Sequence, residues 1–199
     1  MQQLEKKYYT PEEYLELEET AEYKSEYYQG EIFAMSGATA NHNFISGNLL
    51  TGLNNAQKTH KCFSFTNDMR LWINAKNLFT YPDFMIVCGK LEYYTNRKDT
   101  ITNPLIIIEV LSDSTKNYDR GEKFVFYRSI PTFQEYIIID QYSVYIEHFF
   151  IETKKQWLLI EYNDINSILK FSKIDFQIPL KDVYNLIEFD NAKRREHGA

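Results

Sequence analysis

Two apolar stretches decide how this chain folds: "YPDFMIV" (residues 81–87) and "PLIIIEVLS" (residues 104–112). Each is typical of a buried β-strand, and the continuous apolar run of the second predicts a central strand covered on both faces. Each stretch nevertheless carries one acid, Asp83 or Glu109. Because burial of a carboxylate is costly unless something pairs with it, these two acids indicate more than packing.

Adjacent strands would bring the two acids to one place. Side chains alternate across a strand, so Glu109 shares a face with Ile107 and Leu111. Two carboxylates a few ångströms apart repel each other, and each raises the pKa of the other. A divalent cation resolves this repulsion, since Mg²⁺ is held by one or two carboxylates, waters and often a phosphate. The acid pair therefore predicts a metal site.

A third candidate lies on the helix that "DRGEKFVFYRS" (residues 119–129) predicts after the Glu109 strand. Asp119, Lys123 and Tyr127 are spaced at i, i+4 and i+8, which places them on one helical face. If this face turns toward the acids, the Lys123 ammonium can orient a water molecule or stabilise an anion that develops on phosphate.

Several of these residues also have a structural interpretation. Asp83 can cap the start of its strand, and a helical Asp119–Lys123 pair is usually a solvated ion pair worth about 0.3–0.5 kcal/mol. Tyr127 is typical of packing. Glu109, in the middle of an apolar run, is harder to explain by structure alone. The combination of Asp83, Glu109 and Lys123 favours a functional site.

The order of predicted elements indicates an α/β or α+β domain with a mixed sheet. Thr10 begins a first helix with a capping box, a hairpin turns at Gln29–Gly30, and "TANHNFISGNLLTGLNNAQK" (residues 39–58) predicts a longer helix. A helix between "PLIIIEVL" and "EYIIID" predicts a crossover to the same sheet. Strands in the second half, ending near "FQIP", complete it, and "LKDVYNLI" closes the chain as a helix.

One domain is expected over residues 1–190, followed by a charged flexible tail over residues 191–199, because no repeat or linker-like stretch divides the sequence. Cys62 and Cys88 lie in strand-like runs without a CxxC pattern, so we expect two buried free thiols. No Gly-rich phosphate loop, zinc-type His spacing or GxSxG elbow is present.

The composition is that of a globular protein: 44% of the 199 residues are hydrophobic and 25% are charged. No run is apolar enough to span a bilayer or to act as a signal peptide, so no membrane partner and a cytoplasmic location are expected. The net charge of −6 argues against loose adhesion to nucleic acid. It leaves room for an enzyme that meets nucleic acid through one local groove and a metal ion.

The stretches "YPDFMIV", "NPLIIIEVLSDST" and "YDRGEKFVFYRSIPTFQEYIIID" resemble the Uma family of restriction-type endonucleases, a branch of the PD-(D/E)xK nuclease superfamily. The resemblance covers nearly the whole chain, from "YTPEEYLELEE" to "IPLKDVY". It implies a restriction endonuclease-like mixed sheet flanked by helices, with extra strands in the C-terminal half. It also implies a site for Mg²⁺ or Mn²⁺.

By this resemblance, Asp83 is the aspartate of the PD element and Glu109 is the acid of the (D/E)xK element. The sequence departs from the superfamily pattern two residues later, where Leu111 stands in place of lysine. The family resemblance places that lysine on the following helix, at Lys123. A helix after the strand can deliver an ammonium to the same point in space.

The resemblance implies three further participants: an acid of the first hairpin at Glu26, a histidine of the next helix at His42, and the carbonyl of Val110 as a metal ligand. His42 also lies on the apolar stripe of its helix, where a core histidine is the more common interpretation. Tyr127 and His42 are expected to support the metal ligands rather than to bind the ion.

These observations predict a metal-dependent endonuclease that hydrolyses DNA, with a homodimer as the expected assembly. The main alternative is a binding or assembly module with a nuclease fold and weak or no catalysis, which the acidic charge and Leu111 favour. A second alternative is a glycosidase with two carboxylates about 5–9.5 Å apart and no ion between them.

Overall fold

The structure, a computed structural model, describes residues 7–56, 62–113, 115–153 and 156–189. The predicted domain boundary at residue 190 and the predicted tail 191–199 lie outside the described residues. No helix in these described ranges is both long enough and apolar enough to cross a membrane.

The largest sheet has six strands in the order β11-β10-β9-β8-β6-β3. Their bounds are β3 (Cys62–Thr66), β6 (Phe84–Cys88), β8 (Ile106–Leu111), β9 (Glu135–Asp140), β10 (Ile146–Thr153) and β11 (Gln156–Tyr162). Strands β8 and β9 are parallel, whereas the other neighbours are antiparallel. The predicted mixed sheet and the predicted return of the chain to it after β8 are therefore confirmed.

Strand β8 is buried along its whole length, as its apolar run predicts. Ile106, Ile108 and Val110 belong to one hydrophobic core, while Ile107 and Leu111 belong to a second core. The strand thus separates two cores, and the alternation places Glu109 on the same side as Ile107 and Leu111.

A second sheet has five strands in the order β2-β1-β5-β4-β7. Its members are β1 (Ser25–Tyr28), β2 (Glu31–Ala34), β4 (Arg70–Ile73), β5 (Leu78–Thr80) and β7 (Thr100–Ile101). The predicted hairpin turn is confirmed, since Gln29 and Gly30 both have positive φ, 49° and 97°. Neither β5 nor β7 is evident in the sequence, because strands of two or three residues carry little periodicity.

The prediction that the "FQIP" strand completes the main sheet is wrong. Strand β13 (Gln177–Pro179) instead pairs with β12 (Ile168–Lys170) in a separate two-stranded sheet. Ile178 and Leu169 from this pair are buried in the core that also contains Ile45, Leu49 and Leu53 of the helix Ala40–Ala56. The short sheet therefore packs over the core rather than extending the main sheet.

The helices are α1 (Pro11–Thr20), α2 (Ala40–Ala56), α3 (Lys116–Tyr118), α4 (Phe124–Tyr127) and α5 (Leu180–Val183). The predicted capping box of α1 is present, because Thr10 and Glu13 exchange side-chain and backbone hydrogen bonds of 2.8 and 3.1 Å. The closing helix α5 is shorter than the predicted stretch and ends before Leu186, whose φ of 65° is left-handed.

The helix after β8 differs from the uniform α-helix that the sequence predicts. It begins at Lys116, and a π-helical segment (Asp119–Lys123) separates α3 from α4. Asp119, Lys123 and Tyr127 are all buried, so the prediction that they share the inner face is confirmed. Such π-helical turns are frequent at functional sites.

The prediction of two free thiols is wrong. Cys62 and Cys88 stand directly opposite each other in the antiparallel register of β3 and β6, and they form a disulfide with a Cα–Cα distance of 4.0 Å. The two residues are 26 positions apart in the sequence, so their proximity depends on a strand register that spacing alone does not reveal.

We expect protein purified without reductant to expose no titratable thiol after denaturation. Because the disulfide constrains the unfolded chain, replacing both cysteines by alanine should lower the free energy of unfolding by about 3 kcal/mol. Thiol titration and urea unfolding test the two statements. Two titratable thiols per chain, together with unchanged stability of the variant, would contradict the pairing.

Candidate active site

The site begins where two strands bring two acids together. Asp83 immediately precedes β6, and Glu109 lies within β8. Because Phe84 pairs with Ile108 in the antiparallel register, Asp83 and Glu109 lie opposite each other at the following position of the ladder. The backbone N–H of Asp83 donates to Glu109 Oε2 at 3.2 Å. The predicted convergence of the two acids is therefore confirmed.

The Asp83 carboxylate is held by groups from two other elements. Its Oδ2 accepts a hydrogen bond from the Val110 N–H at 2.8 Å and lies 3.0 Å from His42 Nε2. His42 lies in the first turn of α2, where its backbone N–H donates to Thr39 Oγ1 at 3.2 Å. The start of α2 thus delivers the predicted histidine to Asp83 rather than to the core alone.

The Glu109 carboxylate is held by the helix on the other face of β8. Its Oε1 accepts hydrogen bonds from Lys123 Nζ at 3.1 Å and from the Tyr127 hydroxyl at 2.6 Å. Lys123 Nζ also lies 3.0 Å from Asp119 Oδ1. The side chains of Lys123 and Asp119 are only 8% and 3% exposed, which rules out the solvated ion pair that spacing alone favours.

Burial and charge both shift the protonation of this cluster. Burial raises the pKa of Glu109 to about 8; Lys123 lowers it, while the charges of Asp83 and Asp119 raise it. Burial disfavours the Lys123 ammonium, yet Glu109 and Asp119 outweigh this effect and hold its pKa well above the ordinary value. Glu109 and Asp119 share one ammonium and Asp83 adds a third negative charge nearby, so the cluster favours additional positive charge.

A cavity of about 380 Å³ opens over the acids. Loop 34–39, between β2 and α2, forms one wall, and Asp83, Glu109 and Lys123 contribute to the lining. Glu26 also lines the cavity from β1, where it accepts a hydrogen bond from the Thr80 hydroxyl. The structure therefore brings Glu26, the hairpin acid that the family resemblance implies, to the same cavity as Asp83 and Glu109.

The oxygen donors of this site fit Mg²⁺ or Mn²⁺, ions whose coordination water and phosphate can complete. In the part of the chain that the structure describes, no group of three or more His, Cys, Asp or Glu side chains is arranged to hold a metal ion. Asp83 and Glu109 supply hard oxygen donors, and Mg²⁺ commonly binds to one or two carboxylates while water and phosphate complete its coordination. A metal-binding role for the Val110 carbonyl stays a prediction.

Asp119 lies on the predicted helical face, but its spacing from Lys123 favoured a solvated ion pair, which the structure does not show. Its side chain is buried beside Lys123, and its backbone carbonyl accepts a hydrogen bond from the Tyr136 hydroxyl at 2.9 Å. Tyr127 and Tyr136 are buried neighbours of Asp119. The sequence does not predict the burial of Asp119, because it does not reveal the π-helical turn that Asp119 begins.

Sequence reasoning missed a second buried network that fixes the segment before Asp83. Arg70 Nε donates to the Tyr81 hydroxyl at 2.8 Å, and this hydroxyl donates to Glu18 Oε2 at 2.9 Å. Arg70 is 6% exposed and Tyr81 is 5% exposed. The three residues come from distant positions in the sequence, and no local signal joins them.

The comparisons with known proteins identify the family of this chain. The family model Uma2, described as "Putative restriction endonuclease", matches residues 11–180. The chain belongs to the Uma2 family. The resemblance seen in the sequence is thereby confirmed.

Two relatives come from Synechocystis sp. The uncharacterized protein sll1609 is 42% identical over 165 residues, which cover 82% of this chain and 92% of that protein. The uncharacterized protein slr1290 is 34% identical over 182 residues, which cover 90% and 93%, respectively.

A crystal structure from Anabaena variabilis shares the fold of this Uma2 protein. It is described as "a putative nuclease belonging to DUF820" and superimposes with a TM-score of 0.72 at 16% sequence identity. The match covers 90% of this chain and 99% of that chain. The predicted restriction endonuclease-like fold, a mixed sheet flanked by helices, is confirmed.

The buried lysine should be essential to stability. Replacing Lys123 by methionine leaves Glu109 and Asp119 buried without their ammonium, so we expect a loss of about 3–5 kcal/mol in the free energy of unfolding. Lys116→Met, about two turns earlier and partly exposed, should change it by less than about 0.5 kcal/mol. Urea unfolding of the two variants measures the difference, and similar losses would contradict the ion-pair assignment.

Proposed function

We propose that this Uma2 protein is a metal-dependent endonuclease that hydrolyses phosphodiester bonds of DNA. One observation carries the proposal: the carboxylates of Asp83, just before β6, and Glu109, in β8, line the same cavity, and a buried ammonium lies 3.1 Å from Glu109. Membership in a family described as "Putative restriction endonuclease" supports the same reaction class.

Each residue has a role in this proposal. Asp83 and Glu109 would hold Mg²⁺ or Mn²⁺, with Glu26 nearby on the cavity wall. When bound, such an ion lowers the pKa of a water molecule and draws charge from the scissile phosphate. His42 fixes the orientation of Asp83, while Tyr127 fixes that of Glu109, as outer partners of metal ligands do.

The proposed reaction is the hydrolysis of one P–O ester bond. The oxygen of a water molecule forms a bond to phosphorus, the ester bond to the leaving oxygen breaks, and the proton lost by the water balances the proton gained by the leaving alkoxide. The Lys123 ammonium orients this water or stabilises the negative charge that develops on the phosphate. Because Asp119 and Glu109 keep the pKa of Lys123 high, Lys123 acts as a cation and not as a base.

Asp83→Asn and Glu109→Gln should each reduce Mn²⁺-stimulated cleavage of a DNA substrate by at least about 100-fold, because each change removes one anionic metal ligand. Glu122→Gln, an exposed acid on the neighbouring helical segment, is the matched control and should retain full activity. Gel assays measure cleavage, and circular dichroism checks the fold. Full activity in either site variant would overturn the mechanism.

The alternative of a catalytically weak binding module is favoured by one observation. Within the described ranges, no group of three or more His, Cys, Asp or Glu side chains is arranged to hold a metal ion, so the protein alone supplies few metal donors. Metal binding separates the two functions, because a module without catalysis has no requirement for an ion at the acid pair.

Calorimetric titration with Mn²⁺ should therefore detect one site per chain in the wild type. That heat signal should disappear in Asp83→Asn and persist in Glu122→Gln. Removal of metal by EDTA should stop cleavage, and added Mn²⁺ should restore it. A wild-type protein that binds no Mn²⁺ would support the binding module instead. The homodimer and the cytoplasmic location stay predictions.

A further inference from the structure

The charges that line the cavity are unsuited to binding several phosphates of duplex DNA at once. Four lining residues are acids: Glu26, Asp83, Glu109 and Asp119. Among the described lining residues, Lys123 supplies the sole lysine or arginine side chain, and it is already paired with two of these acids. Duplex binding relies on many Lys and Arg contacts to successive phosphates. Among the described residues that line this cavity, one cation, Lys123, is present for such contacts.

The acids also lie deep. The side chains of Glu109 and Asp83 are 3% and 15% exposed, and loop 34–39 rises beside them. The cavity volume of about 380 Å³ is near the lower end of the roughly 300–1,000 Å³ typical of small-molecule sites. A space of this size suits one nucleotide rather than the side of a double helix.

One aromatic ring beside the acids lines the cavity. Tyr118 is half-buried, Lys123 Nζ lies over one face of its ring at 5.5 Å from the centroid, and the ring is in edge contact with Phe126. The π-helical segment that starts at Asp119 follows directly, so the helix presents the ring and the ammonium together. Aromatic faces of this kind bind unpaired bases by stacking, with little dependence on sequence.

We propose that the substrate is unpaired DNA, one nucleotide of which enters the cavity while its base stacks on Tyr118 and its phosphate lies at the ion that Asp83 and Glu109 would hold. This inference rests on the proposed nuclease function. A single strand, a flap or an overhang supplies such a nucleotide directly. A nucleotide within a duplex must first be unpaired and unstacked, which costs energy.

The first test compares DNA substrates of one labelled sequence in the presence of Mn²⁺. We expect the single strand and the flap to be cut at least about tenfold faster than the blunt duplex, because no base pair has to open. Equal rates, or faster cleavage of the blunt duplex, would overturn the inference.

The second test concerns the stacking residue. Tyr118→Ala should raise KM for the single strand by about tenfold and leave kcat within about twofold, whereas Tyr118→Phe should retain the wild-type KM. Tyr23→Ala, an exposed tyrosine that does not line the cavity, is the control. Tyr118→Leu keeps apolar packing against Phe126 without the aromatic face, so it separates stacking from folding. An unchanged KM in Tyr118→Leu would contradict the role of the ring.

A binding measurement separates this inference from the proposed function. Fluorescence anisotropy with Asp83→Asn, which removes one proposed ligand, should show tighter binding of the single strand than of the duplex, and Tyr118→Ala should weaken it. If no DNA is cut but this preference is present, the hydrolytic function fails and the substrate class stands. If neither form binds, or both bind equally, the substrate class fails whatever the cleavage assay shows.

Discussion

The burial of one carboxylate in the central strand governs the rest of the structure. Glu109 is 2% exposed within a strand that is otherwise apolar, and such a position is costly for an unpaired acid. Lys123 and Tyr127 meet it with two hydrogen bonds to one oxygen, while its other oxygen accepts the Asp83 backbone N–H. The helix after β8, the start of β6 and the centre of β8 are consequently fixed to one another.

The local helix geometry serves this interaction. The segment Asp119–Lys123 is π-helical, and its two ends form an ion pair of 3.0 Å while Lys123 also reaches Glu109. Below it, Tyr127 and Tyr136 are buried in edge contact and close the acids off from solvent on that side. The acids are thus accessible from the cavity and supported from the core, an arrangement typical of sites that bind ions or transfer protons.

The other face of the sheet contributes through α2. Gln141 donates a side-chain hydrogen bond to the Leu111 carbonyl and accepts one from the Thr39 hydroxyl, which ties the start of α2 to the end of β8. This connection places His42 beside Asp83. The Asp83 carboxylate is therefore held from the side of α2, and the Glu109 carboxylate from the side of the helix that follows β8.

The sequence by itself determined the buried strands, the acids within them, the capping box of α1 and the family, because periodicity, capping and motif order are local properties of the chain. Only the tertiary structure decided the Cys62–Cys88 disulfide, the separate pairing of "FQIP" and the Arg70–Tyr81 network. Each of these depends on strand register or on contacts between distant segments, and neither leaves a pattern in neighbouring residues. The burial of Asp119 belongs to the same class, because i, i+4 spacing describes an exposed pair and a buried pair equally well.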